Sequence, residues 1–199
     1  AINWAIAEMK YRNGILSWIR FDGKKVLYSE LKSDGSGAAP SESTLFEISD
    51  ALSVIASIDV IDKQNYAYIT KQGDLFRVKG GVQERVYSGD SSGTFAEGEK
   101  PGELTVPGWV RISGDGKILM LDVMQSRILS FNDKGEYRVI LSVNDISAFT
   151  GGKAEMFYRF NLSPGGICLT DGPYIIEADL NGKITSAATG GVLTNRAVS

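Results

Sequence analysis

The chain has 199 residues, 43% of them hydrophobic, enough for a substantial core and incompatible with disorder as its main state. Net charge is −3 and the 21 Lys and Arg residues are scattered, so no cationic footprint for nucleic acid or an anionic membrane is present. No apolar run approaches the roughly twenty residues of a membrane-spanning helix, and the lack of histidine removes Ser-His-Asp and Cys-His catalysis, His-ligated zinc and His proton relays together.

The chain begins at Ala1 without a Met, which suits a processed secretory protein, a cut piece or a fragment, and favours a location outside the cytoplasm. An apolar run at 6–9 leads to Asn13-Gly14, a strand at 15–19, a turn at 21–24 and a strand at 25–28. A polar loop follows at 32–41. Beyond it, Thr44 and Glu47 have the spacing of a capping box, and Leu45, Ile48, Leu52 and Ile55 lie at helical spacing. A short helix and an outer strand at 45–48 displaced by the loop both fit this segment.

The same order recurs. Residues 58–61, Gln64-Asn65, 66–69, 71–74, 75–78, Gly80-Gly81 and 83–87 alternate as strand and turn. So do 109–112, Asp115-Gly116, 118–121, 124–126, 127–131, Lys134-Gly135 and 137–141. The last unit reads 160–162, Pro164-Gly165, 167–169, 171–173, 174–178, Asn181-Gly182 and 184–188, with the lone Cys168 inside an apolar run as a small buried hydrophobe. The first turns fall at residues 13, 64, 115 and 164, a period of about fifty.

Four antiparallel strands per unit, repeated, predict an all-β fold: a β-propeller of about four blades, at approximately 1–50, 51–101, 102–150 and 151–199 of one domain. A single meander cannot bury both of its faces, whereas stacked blades can. The ring is either closed by these four blades or part of a larger one, with other chains completing it. Residues 2–5 and 192–198 are candidates to pair in one blade as a latch. Trp4, Trp18, Tyr66, Tyr68 and Tyr158 are expected to pack between blades.

The third unit resembles an NHL-repeat blade. Its residues in that pattern are a Gly-rich connector at 89–102, Pro107, Asp115-Gly116, a strand ending in Asp122, Arg127-Ile128, Phe131 and Gly135. The other units keep the turns and the hydrophobic rhythm but lack the Asp and the Arg-Ile. The resemblance implies a scaffold for protein or ligand contact and carries over no activity.

Candidate contact residues lie at blade turns, namely Lys71, Asp122, Gln125, Arg127 and Asp171, with Trp109 as an aromatic anchor. Asp122 and Arg127 flank one turn and either pair across the hairpin or face a ligand. Gly89-Asp90-Ser91-Ser92-Gly93 matches G-x-S-x-G in form but has neither a His nor a strand-to-helix context, so Ser91 is read as a connector residue. Lactonase-type propellers hold a metal with carboxylate and amide oxygens near the axis. Glu8, Asp59, Asp62, Asp122 and Asn161 are the oxygen donors available for calcium, though their spacing matches no calcium loop. The expected function is a non-enzymatic propeller that recognises a protein or small ligand at its loop face, with no cofactor, no nucleic acid and no membrane insertion. The alternative is a calcium-dependent lactonase or hydrolase.

Overall fold

In the computed structural model the described residues are 4–12, 14–33, 38–49, 54–88, 107–123, 125–152, 154, 157, 159–171, 174–189 and 192–194. Blade 1 consists of β1 (Trp4–Arg12), β2 (Ile15–Asp22), β3 (Lys25–Lys32) and β4 (Ser41–Glu47). Blade 2 consists of β5 (Ile55–Asp62), β6 (Asn65–Thr70), β7 (Leu75–Lys79) and β8 (Val82–Tyr87). Blade 3 has β9 (Pro107–Ile112), β10 (Ile118–Asp122), β11 (Arg127–Phe131) and β12 (Tyr137–Ser142). Blade 4 has β13 (Phe160–Ser163), β14 (Gly166–Asp171), β15 (Tyr174–Ala178), β16 (Ile184–Thr189) and β17 (Val192–Thr194). Every sheet is an antiparallel meander in chain order, and the four form the blades of a β-propeller.

Period-2 alternation gives each blade two faces, and consecutive blades stack through them. Ile19, Phe21, Val26 and Tyr28 of blade 1 pack on Ile58, Val60, Tyr66 and Tyr68 of blade 2. Ala67, Ile69 and Leu75 of blade 2 pack on Val110, Ile118, Met120 and Leu129 of blade 3. Leu119, Leu121 and Ile128 of blade 3 pack on Phe160, Ile167, Leu169 and Ile176 of blade 4. Each fully buried side chain of this kind contributes roughly 1.5–3 kcal/mol.

Ser41–Glu47, after the first polar loop, is a strand, and 50–53, the middle of the expected helix, lie outside the described residues. Its register on β3 pairs Lys25 with Glu47 and Val26 with Phe46, and a bulge at the next pair lets both Leu45 and Phe46 reach the core between blades 1 and 2. Sheet completion there overrides the helical spacing. The one described helix of a full turn or more is α1 (Val143–Thr150), which the strand-and-turn pattern of the sequence did not anticipate. Ser142 caps it, Asp145 returns a bond to the Ser142 backbone, and Gly151 ends it at φ 68°. Ile146 anchors it in the core between blades 3 and 4.

The chain ends do not form the expected latch in the described residues. β17 adds to β16 of its own blade, while β1 pairs with β2. The G-x-S-x-G segment, Tyr158 and the tails at 1–3 and 195–199 lie outside the described residues, as does the side chain of Trp4.

Two turn glycines set how closely the blades approach. Gly135, at φ 80°, lies against the carbonyl oxygen of Val86 on β8, and Gly182, at φ 86°, lies against that of Ile140 on β12. In both, the third turn of one blade abuts the outermost backbone of the blade before it, with no room for a Cβ. Gly182→Ala is expected to lower stability by about 3 kcal/mol, combining left-handed strain with the clash. Gly80→Ala, where a Cβ would meet nothing within 4 Å, avoids the clash. Chemical denaturation of the two variants checks the difference.

Candidate functional site

The first strand of each blade lies beside that of the next, β1 by β5, β5 by β9 and β9 by β13, so their side chains meet near the propeller axis. Asp59 on β5 is buried, 1% exposed, and binds both Lys10 of β1 and the backbone N–H of Ile112 at 2.7 Å. Ser57 accepts from the Val110 N–H at 3.1 Å. Arg111, only 2% exposed, donates to Glu8 of β1 at 3.3 and 3.4 Å, to Asn161 of β13 at 3.0 Å and to the Val110 carbonyl at 2.9 Å. Blades 1, 3 and 4 thus share one guanidinium. The Trp109 ring lies against the guanidinium carbons of Arg159 and Arg111, 4.3 and 5.3 Å from its centroid.

A cleft of about 910 Å³ opens between blades 2 and 3, at the end carrying the first and third turns of each blade. Tyr66, Val78, Ile112, Ile118 and Phe131 line its apolar part. Its charged lining is Arg77, Lys79, Lys117 and Arg138 with Asp115, Asp133 and Glu136. Arg77 of β7 bonds Glu84 on β8 and Asp133 in the third turn of blade 3, so it ties the blades together across the opening. Burial opposes the charge on Arg77, but hydrogen bonds to Asp133 and Glu84 outweigh it and raise the guanidinium pKa. The Asp133 carboxyl is lowered by that same hydrogen bond. Lys117 and Ser113 hold the Asp115 carboxyl down at about 2. Among the described residues, Lys79 and Arg138 have no carboxylate within ion-pair distance. Arg138 reaches the Asn181 side-chain oxygen at 3.2 Å.

The turn residues singled out in the sequence lie at the opposite end. Lys71, Gln125 and Asp171 sit at the second turns of blades 2, 3 and 4, with Lys71 and Gln125 exposed and the Asp171 side chain outside the described residues. Asp122 is fully buried and accepts from Arg127 Nε at 3.0 Å. Trp109 is half-buried on β9, facing blade 4. The oxygen donors considered for calcium do not converge. Glu8 and Asn161 take Arg111, Asp59 takes Lys10 and a backbone N–H, Asp122 takes Arg127, and Asp62 accepts from Asn65 and from the Gln64 N–H in its own turn. Among the described residues no group of three acidic or sulfur ligands is placed to hold a metal. Arg111 was missed, although a lone cation in the apolar run 109–112 was the available signal. The cleft residues come from turns about fifty residues apart, and no local pattern joins them.

No protein-family model matches the sequence, and no curated protein does. Solved structures match in fold. A protein of unknown function from Bacteroides thetaiotaomicron has a TM-score of 0.53 at 13% identity over 88% of this chain and 44% of its own. Virginiamycin B lyase from Staphylococcus aureus has a TM-score of 0.53 at 11% identity, over 94% of this chain and 56% of its own. YCF48 bound to D1 peptide has a TM-score of 0.50 at 12% identity, over 94% and 55%. These likenesses are to β-propellers, and the chain spans about half the length of each.

Phe46, Tyr66, Tyr68 and Phe76 form a stack in the core between blades 1 and 2, with neighbouring ring centroids 4.6 to 5.7 Å apart. Burial, then the nearby Tyr66 and Asp74, push the Tyr68 phenol up to about 12, and burial raises Tyr66. A raised phenol pKa favours the folded state fully below the unfolded value of about 10, and this preference disappears as the pH rises towards about 12. Alkaline unfolding is therefore expected in that window, and Tyr68→Phe should weaken the dependence. Denaturant midpoints against pH check this.

Proposed function

We propose that this chain is a non-enzymatic propeller module, of the general NHL-like kind, that recognises a protein segment or small ligand. The observation that carries the reading is the cleft between blades 2 and 3. It combines an aromatic and aliphatic floor with two cations, Lys79 and Arg138, that lack a carboxylate partner among the described residues. A concave, mostly apolar site with a few convergent polar groups suits a bound ligand, and this one suits an acidic, partly apolar chain segment. The same fold holds D1 peptide in YCF48. In this reading the opposite end, with Lys71, Gln125 and Asp171 at the second turns of three blades, the Asp122 and Arg127 pair in blade 3 and Trp109 on β9, is a second contact surface.

No observation favours the calcium-dependent hydrolase. Each candidate carboxylate already has a cation or hydrogen-bond donor of the chain, so binding calcium would require breaking those contacts. Adding calcium is expected to leave the melting temperature unchanged, which differential scanning calorimetry checks. For the cleft, the test is titration calorimetry with short peptides containing Asp or Glu beside an aromatic residue. Lys79→Glu with Arg138→Glu should weaken binding at least about tenfold, some 1.4 kcal/mol. Equal affinity for both proteins, or no binding by any peptide in the panel, would sink the cleft as the site.

A further inference from the structure

Arg77 lines the cleft between blades 2 and 3 with a side chain that is only 12% exposed. The register of β7 on β8 places Glu84 directly beside it, so the Glu84 carboxylate takes the Nε–H and lies against Nη2. That hold lies within blade 2 and does not depend on blade 3. On its other side, Nη1 reaches one oxygen of Asp133 in the third turn of blade 3. A guanidinium can grip both oxygens of a carboxylate as a fork. Asp133 therefore uses only half of the Nη1–Nη2 edge.

The hold on Asp133 is also weak. Its side chain is 78% exposed, and among the described residues Arg77 is its only bonded partner. An exposed ion pair adds little to stability. Blades 2 and 3 do not need it, because Ala67, Ile69 and Leu75 already pack on the facing strands and Gly135 fits closely against Val86. After Arg77, the nearby Lys79 is the next cation to lower the Asp133 carboxyl. Lys79 is exposed and has no carboxylate within ion-pair distance among the described residues, so a displaced Asp133 has a second cation at hand.

Resting on the reading of this cleft as the recognition site, we propose that Arg77 is the residue that selects an acidic segment, and that Asp133 stands in for the aspartate or glutamate side chain of the ligand. The incoming carboxylate takes the Nη1–Nη2 edge, Glu84 keeps the Nε edge, and Asp133 passes to Lys79. No ion pair is lost in this exchange, and the apolar part of the segment settles on Ile118 and Phe131 of the cleft. Ligand binding and the Arg77 tie between blades 2 and 3 are then mutually exclusive.

The test is titration calorimetry of the full chain and of Asp133→Asn, Arg77→Gln and the double variant. The probes are short peptides with Asp or Glu beside an aromatic residue, amidated so that the terminal carboxylate cannot substitute. Asp133→Asn removes the competitor and should tighten binding about two- to fivefold, the range of one exposed ion pair. Arg77→Gln should weaken binding at least about tenfold, and in that background Asp133→Asn should change nothing further. Melting curves of the variants separate lost binding from lost folding, and Asp133→Asn, on an exposed turn, should melt with the unmodified chain. Equal or weaker binding by Asp133→Asn, a gain that persists without Arg77, or full affinity in folded Arg77→Gln would each overturn the exchange. The cleft itself would survive those results if Lys79→Glu with Arg138→Glu still weakens binding. Absence of binding by every peptide would remove the cleft as the site and this inference with it.

Discussion

An edge strand carries backbone groups that its own sheet cannot satisfy, and the centre of this molecule depends on how those of β9 are met. β9 pairs on one side only, with β10. On the other side its Val110 and Ile112 N–H groups donate to Ser57 and Asp59 of β5. Buried donors left without partners cost about 1–3 kcal/mol each, so these two side chains stand in for a missing strand. Asp59 is held in turn by Lys10, which extends the arrangement to blade 1. Arg111, between the two satisfied N–H groups, then reaches Glu8 and Asn161. Backbone pairing cannot continue around a propeller axis. Side-chain bonds replace it, and they fix the relative position of the blades that hydrophobic stacking alone would leave free to slide.

The two ends of the propeller have different chemistry. At the end with the cleft, Arg77 bonds both Asp133 and Glu84 and Lys117 pairs with Asp115, while Lys79 and Arg138 share the lining with Glu136, a carboxylate bonded to Asn132. Such exposed pairs contribute little to stability individually. Their effect is on the field inside the cleft, where low-dielectric walls give a charge more weight than on an open surface. At the other end, the Asp122 and Arg127 pair is removed from solvent and stiffens a hairpin whose tip, Gln125, is exposed.

Most of the architecture was legible because turn chemistry is local. Asp115-Gly116, Lys134-Gly135 and Asn181-Gly182 place a glycine where φ is positive, and the strand boundaries follow. The segment around Leu45 was ambiguous because its apolar spacing fitted a helix, and only the open edge of β3 decided it. Helix α1 went unread because the capping pair Ser142 and Asp145 adjoins the end of a strand, where alternation dominated the pattern. In blade 3, Asp122 and Arg127 flanking one turn marked a hairpin, and the buried ion pair between them was one of two readings open in the sequence. The cleft and the axis depend on which faces meet across blades, and that information lies in contacts between repeats.

The Arg111 and Glu8 contact also imposes an order of events. Its partners are separated by 103 residues, whereas the hydrophobic stacking joins consecutive repeats. During synthesis at about 5–20 residues per second, the Glu8 carboxylate waits about 5–20 s for its guanidinium. Blades 1 and 2 can stack in that interval through their aromatic core. The axis closes on Arg111 only once blade 3 arrives, so the late contact reports that three repeats have been laid down in register.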